Sequence, residues 1–193
     1  AGVNWAVRLM PIRVLGTDGN GTIADVASGV RWATEEGANI INLSLGSKES
    51  ASVLSEAVAY ANGKGVVVVA ASGNEYRGPV CYPAAYPEVI AVGAAGEWWN
   101  PFTVADFSNG GEGLDLIAPG VGIVSTDLSS VGGSSTYRSA EGTSMACPHV
   151  AGVVGLMLAE DPNLTPGKVK TILQDTAIRP GNGQVWDAWQ GYG

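Results

Sequence analysis

The sequence predicts an α/β protein, a three-layer arrangement in which a mostly parallel sheet carries helices on both faces. Two apolar runs of strand length are continuous rather than alternating: Val66-Val67-Val68-Val69-Ala70-Ala71 and Val89-Ile90-Ala91-Val92-Gly93-Ala94. A strand reads this way when helices bury it from both sides, which is the situation in a parallel sheet. Between the runs lie stretches with apolar residues at helical spacing, giving the strand-helix alternation of this class. The bulk numbers agree. A chain of 193 residues that is 46% hydrophobic and only 15% charged has the material for one domain with a sizeable core.

Taken in order, residues 8–15 read as a first strand with Pro11 near its start. Gly16-Thr17-Asp18-Gly19-Asn20-Gly21 is a turn-rich loop. A helix follows, with Ile23, Val26, Val30 and Ala33 on one face and Glu35-Glu36-Gly37 closing it. Residues 39–46 form a second buried strand, and residues 50–62 a helix whose inner face is Leu54, Ala57, Val58 and Ala61. The two continuous apolar runs are the third and fourth strands. Residues 96–142 change texture: short strand candidates at 103–107, 114–118 and 122–126 sit among many Gly and Ser residues. A long helix spans 143–159, residues 161–166 break it, and Thr165-Pro166 opens a last helix on Val169, Ile172, Leu173 and Thr176.

The charge balance narrows the partners. Net charge is −8, which argues against nucleic acid, whose phosphates need clustered Lys and Arg. No apolar run approaches the ~20 residues that span a bilayer. Cys81 and Cys147 are too few for a disulfide scaffold and fit either one bridge or two thiols. The first residues, Ala1-Gly2-Val3-Asn4-Trp5, lack both the initiator Met and the basic start of a signal peptide, so the chain is expected to begin partway through a longer one.

Ligands of open parallel sheets bind beyond the carboxyl ends of the strands. Gly19-Asn20-Gly21, Ser44-Leu45-Gly46 and Ser72-Gly73-Asn74-Glu75 all follow predicted strands. Ser144 falls in the first turn of the long helix, where free N–H groups and the helix dipole face a developing oxyanion. A lone Gly-x-Ser is otherwise an ordinary helix cap. Asn74 is an uncharged donor in a Gly-rich loop, suited to an oxyanion or equally to a plain turn. His149 is the only histidine, and five residues along a helix put it about 140° round from Ser144. It therefore reads as a structural residue rather than the base for Ser144. Pro148 has no N–H to offer the Ser144 carbonyl.

Gly142-Thr143-Ser144-Met145-Ala146-Cys147-Pro148-His149-Val150-Ala151-Gly152 resembles the nucleophile motif of the subtilisin-like serine proteases. Residues 14–21, 41–46, 70–75, 82–94 and 116–120 resemble further segments of that family, in the same order. The resemblance implies a serine endopeptidase working through an acyl-enzyme, with no cofactor needed for the chemistry. Ser144 is then the nucleophile, Asn74 the oxyanion donor and Thr143 its support. Ser44, Leu45 and Gly46, with Gly19, Asn20 and Gly21, would sandwich an extended peptide or protein substrate as a middle strand. Ala71, Ser72 and Gly73 would wall the first specificity pocket, and Ile23 would line a more distant apolar one. Met145, beside the nucleophile, would be sensitive to oxidation.

The resemblance also implies an Asp and a His from motifs that precede the serine, and this sequence contains neither motif. Residues 1–193 are therefore expected to form a single partial domain, truncated at its N-terminus and nearly inactive alone. The missing groups would come from an N-terminal segment of the same protease. Other implied partners are a propeptide or a protein inhibitor, and the implied location is secreted or extracellular. The alternative is an inactive homologue or fragment that only binds extended peptides. By the same resemblance, Cys81 and Cys147 lie near the floor of the first pocket, bridged or as two buried thiols. Ala84, Tyr86 and Val89, with Asp115, match a weak structural site for Ca²⁺ or Na⁺ found in some members, a plain loop being the other reading. Trp98, Trp99, Trp186 and Trp189 have no part in these motifs and are assigned to packing.

Overall fold

A computed structural model describes residues 2–96, 103–127, 137–178 and 186–193. Trp98 and Trp99 lie outside the described residues. Four parallel strands form the central sheet in the order β1-β2-β3-β4: β1 (Ile40–Leu43), β2 (Val67–Ala71), β3 (Val89–Ala95) and β4 (Leu116–Pro119). A separate antiparallel pair joins β5 (Ile123–Thr126) to β6 (Tyr137–Ala140). The helices are α1 (Ile23–Glu35), α2 (Ser52–Gly63), α3 (Thr143–Glu160) and α4 (Pro166–Thr176).

The two-residue period of a strand divides the core in two. Val68 and Ala70 of β2, with Val89 and Ala91 of β3, face α1 and α2, meeting Val26, Val30, Ala57 and Val58. Val67, Val69 and Ala71, with Ile90, Val92 and Ala94, face α3 and α4, meeting Ala146, Val150, Val154 and Val169. Each fully buried Val contributes about 1.5–3 kcal/mol by leaving water, so the continuous runs read in the sequence are the centre of the molecule.

Local chemistry sets the helix starts. Thr22 caps α1 by accepting from the Asp25 N–H at 3.1 Å, and its own hydroxyl donates to the Asp25 carboxylate at 2.6 Å. Thr165 caps α4 by accepting from the Lys168 N–H, with Pro166 as first residue.

Some expectations are corrected. Residues 8–15 form no strand. Ile12 and Val14 do pack against the core, where they press on Gly29 of α1. A strand needs a ladder partner, and among the described residues β1, an edge of the sheet, pairs only with β2. Residues 103–107 give a single bridge, Val104 to Ala95. The 114–118 candidate begins at Leu116, because the Leu114 N–H turns back to the Gly111 carbonyl. β6 is a strand that no apolar pattern marks, since its residues are polar and mostly exposed. Of the two readings open for Cys81 and Cys147, the structure has the buried free thiols. Trp186 donates to the Leu114 carbonyl at 2.8 Å, and Trp189 stacks under Arg77, so both pack as expected.

Candidate active site

Because β1 and β2 are neighbours running in the same direction, their carboxyl ends deliver Ser44-Leu45-Gly46 and Ser72-Gly73-Asn74 side by side. The N-terminus of α3 packs onto that same end of the sheet. Gly142 makes the entry possible: its φ of 146° is poorly tolerated by residues with a Cβ.

Ser144 and Ser44 hold each other in a reciprocal pair. The Ser144 hydroxyl donates to the Ser44 carbonyl at 3.2 Å, and the Ser44 hydroxyl donates to the Ser144 carbonyl at 2.9 Å. The second bond exists because of Pro148. In an uninterrupted helix the residue four places on would supply an N–H to the Ser144 carbonyl, and proline has none. The freed carbonyl is what ties the nucleophile candidate to the β1 segment.

Asn74 is fixed from one end. Its Oδ1 accepts from the Thr143 N–H at 2.9 Å and from the Thr143 hydroxyl at 3.0 Å. The Thr143 hydroxyl oxygen accepts from the Gly73 N–H at 3.2 Å, closing the ring. Thr143 is fully buried. With its oxygen engaged, Asn74 presents its amino group outward beside the first turn of α3. Among the described residues neither that amino group nor the Ser144 N–H has a protein partner. Two adjacent free donors around a hydroxyl are suited to an oxyanion.

His149 is not part of this arrangement. Its Nδ1 meets the Met145 carbonyl at 2.8 Å, and its ring faces a groove lined by Val3, Val150, Val153 and Leu173. Among the described residues, the one group that the Ser144 hydroxyl bonds is a carbonyl, which takes up no proton at neutral pH.

The backbone groups of Leu45 and Gly46 have no hydrogen-bond partner among the described residues. Leu45 and Ile23 both pack half-buried against the α1–α2 side of the core. Gly19-Asn20-Gly21 belongs to a turn closed on itself: Gly16 N–H donates to the Asn20 carbonyl, and Asp18 accepts from the Asn20 N–H and side chain. Those two Asn20 bonds hold the Asp18 carboxyl below its ordinary pKa.

Of the residues expected to wall the first pocket, Ala71 and Ser72 are buried and only Gly73 is partly accessible. Gly46 and Gly73 face Cys81 from two directions. A Cβ on Gly46 would come within 3.3 Å of the Cys81 Cβ, and one on Gly73 within 2.8 Å of its sulfur. Cys81 thus lies between the two glycines, and burial, then the neighbouring Glu75 carboxylate, push its thiol up. Cys147, buried in α3, is pushed up to about 12 by burial. Both thiols stay protonated at neutral pH.

A residue outside every motif braces this loop. Asn109 is buried and spans it, accepting from the Glu75 N–H at 2.8 Å and donating to the Pro79 carbonyl at 2.9 Å and to the Glu75 carboxylate. It lies 34 residues from Glu75, so no local pattern marks it.

The subtilase family model matches residues 1–193. The chain is 42% identical to M-protease of Shouchella clausii (strain KSM-K16) over 185 residues, covering 96% of this chain and 47% of that protein. It is 40% identical to Subtilisin Savinase of Lederbergia lenta over 185 residues, covering 96% and 66%. Among solved structures, Sphericase superposes with a TM-score of 0.81 at 33% identity, covering 93% of this chain and 65% of that one. The chain therefore spans between about half and two thirds of the length of these relatives.

Proposed function

The chain belongs to the subtilase family, and on that footing we propose that it supplies the nucleophile, oxyanion donors and substrate-binding strands of a serine endopeptidase. In this reading the catalytic Asp and His come from another segment of the same protease. The observation that carries it is the Asn74–Thr143 clamp, which leaves two free donors next to the Ser144 hydroxyl.

An extended peptide lies along Leu45 and Gly46, pairing with their unpartnered backbone groups. Ser144 Oγ attacks the scissile carbonyl carbon, and the carbonyl electron pair moves onto oxygen. The Asn74 amino group and the Ser144 N–H receive that charge, as Ser144 leaves its bond to the Ser44 carbonyl. The hydroxyl proton passes to the incoming histidine and then to the amine as the C–N bond breaks, leaving an acyl-enzyme. Water hydrolyses the ester by the same proton route. No metal or organic cofactor takes part in these steps.

The surface supports a covering segment. β1 lies at the sheet edge, and Trp5 and Leu9 are 85% and 87% exposed, with Val3, Val7 and Met10 partly so. We assign the assembled protease an extracellular setting, with a propeptide or protein inhibitor as further occupants of the cleft. No helix among the described residues is long and apolar enough to cross a membrane.

A fluorophosphonate probe tests the division of labour. The purified chain should label very slowly, because an unassisted serine hydroxyl is a weak nucleophile. Adding the segment that bears Asp and His should restore both labelling and peptide cleavage. Rapid stoichiometric labelling of Ser144 in the chain alone would overturn the claim that the base comes from elsewhere. A folded reconstitution that binds peptide without cutting it would favour the binding-only reading.

A further inference from the structure

Loop carbonyls near a buried carboxylate are the makings of a weak Ca²⁺ or Na⁺ site, and by resemblance Ala84, Tyr86, Val89 and Asp115 match one, a plain loop being the other reading. The donor set does not fit a metal ion. The Tyr86 carbonyl already accepts the Val89 N–H at 3.0 Å. Asp115 Oδ1 accepts from Gln174 Nε2 at 2.7 Å, and Oδ2 accepts from the Ala91 N–H at 2.8 Å and from Lys170 Nζ at 2.9 Å. Lys170 Nζ also donates to the Val89 carbonyl at 2.8 Å and the Pro87 carbonyl at 3.2 Å.

The match is complete on the lysine's side. An ammonium has three N–H donors and no acceptor, and here it meets three oxygens: one carboxylate and two carbonyls. Lys170 and Gln174 are four residues apart on α4, so one helix face reaches both oxygens of Asp115. The Asp115 side chain is 6% exposed and that of Lys170 24%. A cation bound to Val89 and Asp115 would take the place of this ammonium or lie against it.

We propose that Lys170 is a tethered cation that stands in for a dissolved metal ion at the junction of α4, the 84–89 loop and β4. Two consequences follow. Dissolved cations give this junction no support in the unaltered chain, and removing the ammonium while keeping the oxygens opens a site for Na⁺ or Ca²⁺. The proposal is independent of the catalytic reading.

The test uses thermal melts of the chain and two variants in chelator-treated buffer. Ionic strength is held with tetramethylammonium chloride, and NaCl or CaCl₂ is then exchanged in. Lys170→Ala and Lys170→Met should both melt lower than the unaltered chain, by about 4–8 °C. Added cation should return at least about half of that loss to Lys170→Ala, saturably. It should return none to Lys170→Met, whose side chain fills the same space. If Lys170→Ala gains no more from the cation than the unaltered chain does, the proposal is wrong.

A second measurement needs no variant. Amine acylation followed by peptide mass analysis should label Lys170 at least about tenfold more slowly than the exposed Lys48, Lys64 and Lys168, with a ratio unmoved by millimolar Ca²⁺. Faster labelling of Lys170 on adding Ca²⁺ would mean that the metal displaces the ammonium, and would overturn the proposal.

Discussion

Replacing Ser44 by Ala tests how the first turn of α3 is secured. The Ser144 carbonyl accepts from the Ser44 hydroxyl at 2.9 Å, and Pro148 cannot provide the i+4 helical N–H that would otherwise take this place. Ser44→Ala removes that donor from the carbonyl in a half-buried setting. An orphaned buried acceptor costs about 1–3 kcal/mol, and partial access to water puts this one near the lower end, at about 1 kcal/mol. For a chain of this size that is a fall of about 2–4 °C in melting temperature. The Asn42 contact to the same hydroxyl is exposed, and its loss adds little. The sharper test is the double-mutant cycle with Pro148→Ala. That substitution restores a backbone N–H aimed at the Ser144 carbonyl, so Ser44→Ala should cost only a few tenths of a kcal/mol in its background. Urea unfolding of the four proteins should therefore give a coupling of about 0.7–1 kcal/mol. An equal cost of Ser44→Ala in both backgrounds would refute the idea that the proline creates the need for the serine.

Two further outcomes follow from the same geometry. Cys147 is pushed up to about 12 by burial, against about 8.5 in an unfolded chain. Between those values the unfolded thiol has lost its proton while the folded one keeps it, so stability falls as pH rises. The slope approaches about 1.4 kcal/mol per pH unit, and urea unfolding from about pH 8 to 11 should show a correspondingly shallower decline in Cys147→Ala. Gly73→Ala should be severe, because φ is +112° and the new Cβ would meet Asn109, the Glu75 carboxylate and the Cys81 sulfur. A strained backbone alone costs about 1–3 kcal/mol, so a melting temperature within about 2 °C of the unaltered chain would show that the loop relaxes freely.

Parts of this molecule can be read from the sequence because they depend on neighbours in the chain. The run Val66–Ala71 declares a doubly covered strand, since each residue needs an apolar partner on its own face, and the structure places β2 there with helices on both sides. Thr165-Pro166 marks the start of α4 through capping chemistry alone. Ser144, Thr143 and Asn74 stand out in the sequence, and the structure brings the three together across about 70 residues. What could not be read depends on distant partners. Residues 8–15 have the composition of a strand, but a ladder is a property of two segments, and β1 offers them no pairing. Asn109 and Lys170 look like ordinary loop and surface residues until the fold carries Asn109 to Glu75 and Lys170 to Asp115. The second case also bears on the match to a cation site, because a sequence lists oxygens without saying which donors already bond them.

The pairing of β1 with β2 has a mechanical consequence. Leu43 and Ala70 are ladder partners, and the segments carrying Ser44 and Ser72-Gly73-Asn74 leave the sheet just after them. Where they leave it, these two segments are therefore one strand spacing apart, about 4.8 Å, set by main-chain hydrogen bonds. Surface loops are free to drift or lengthen without altering that ruler. These two segments part at their base only when β1 and β2 separate, so their spacing there persists while the strands stay paired.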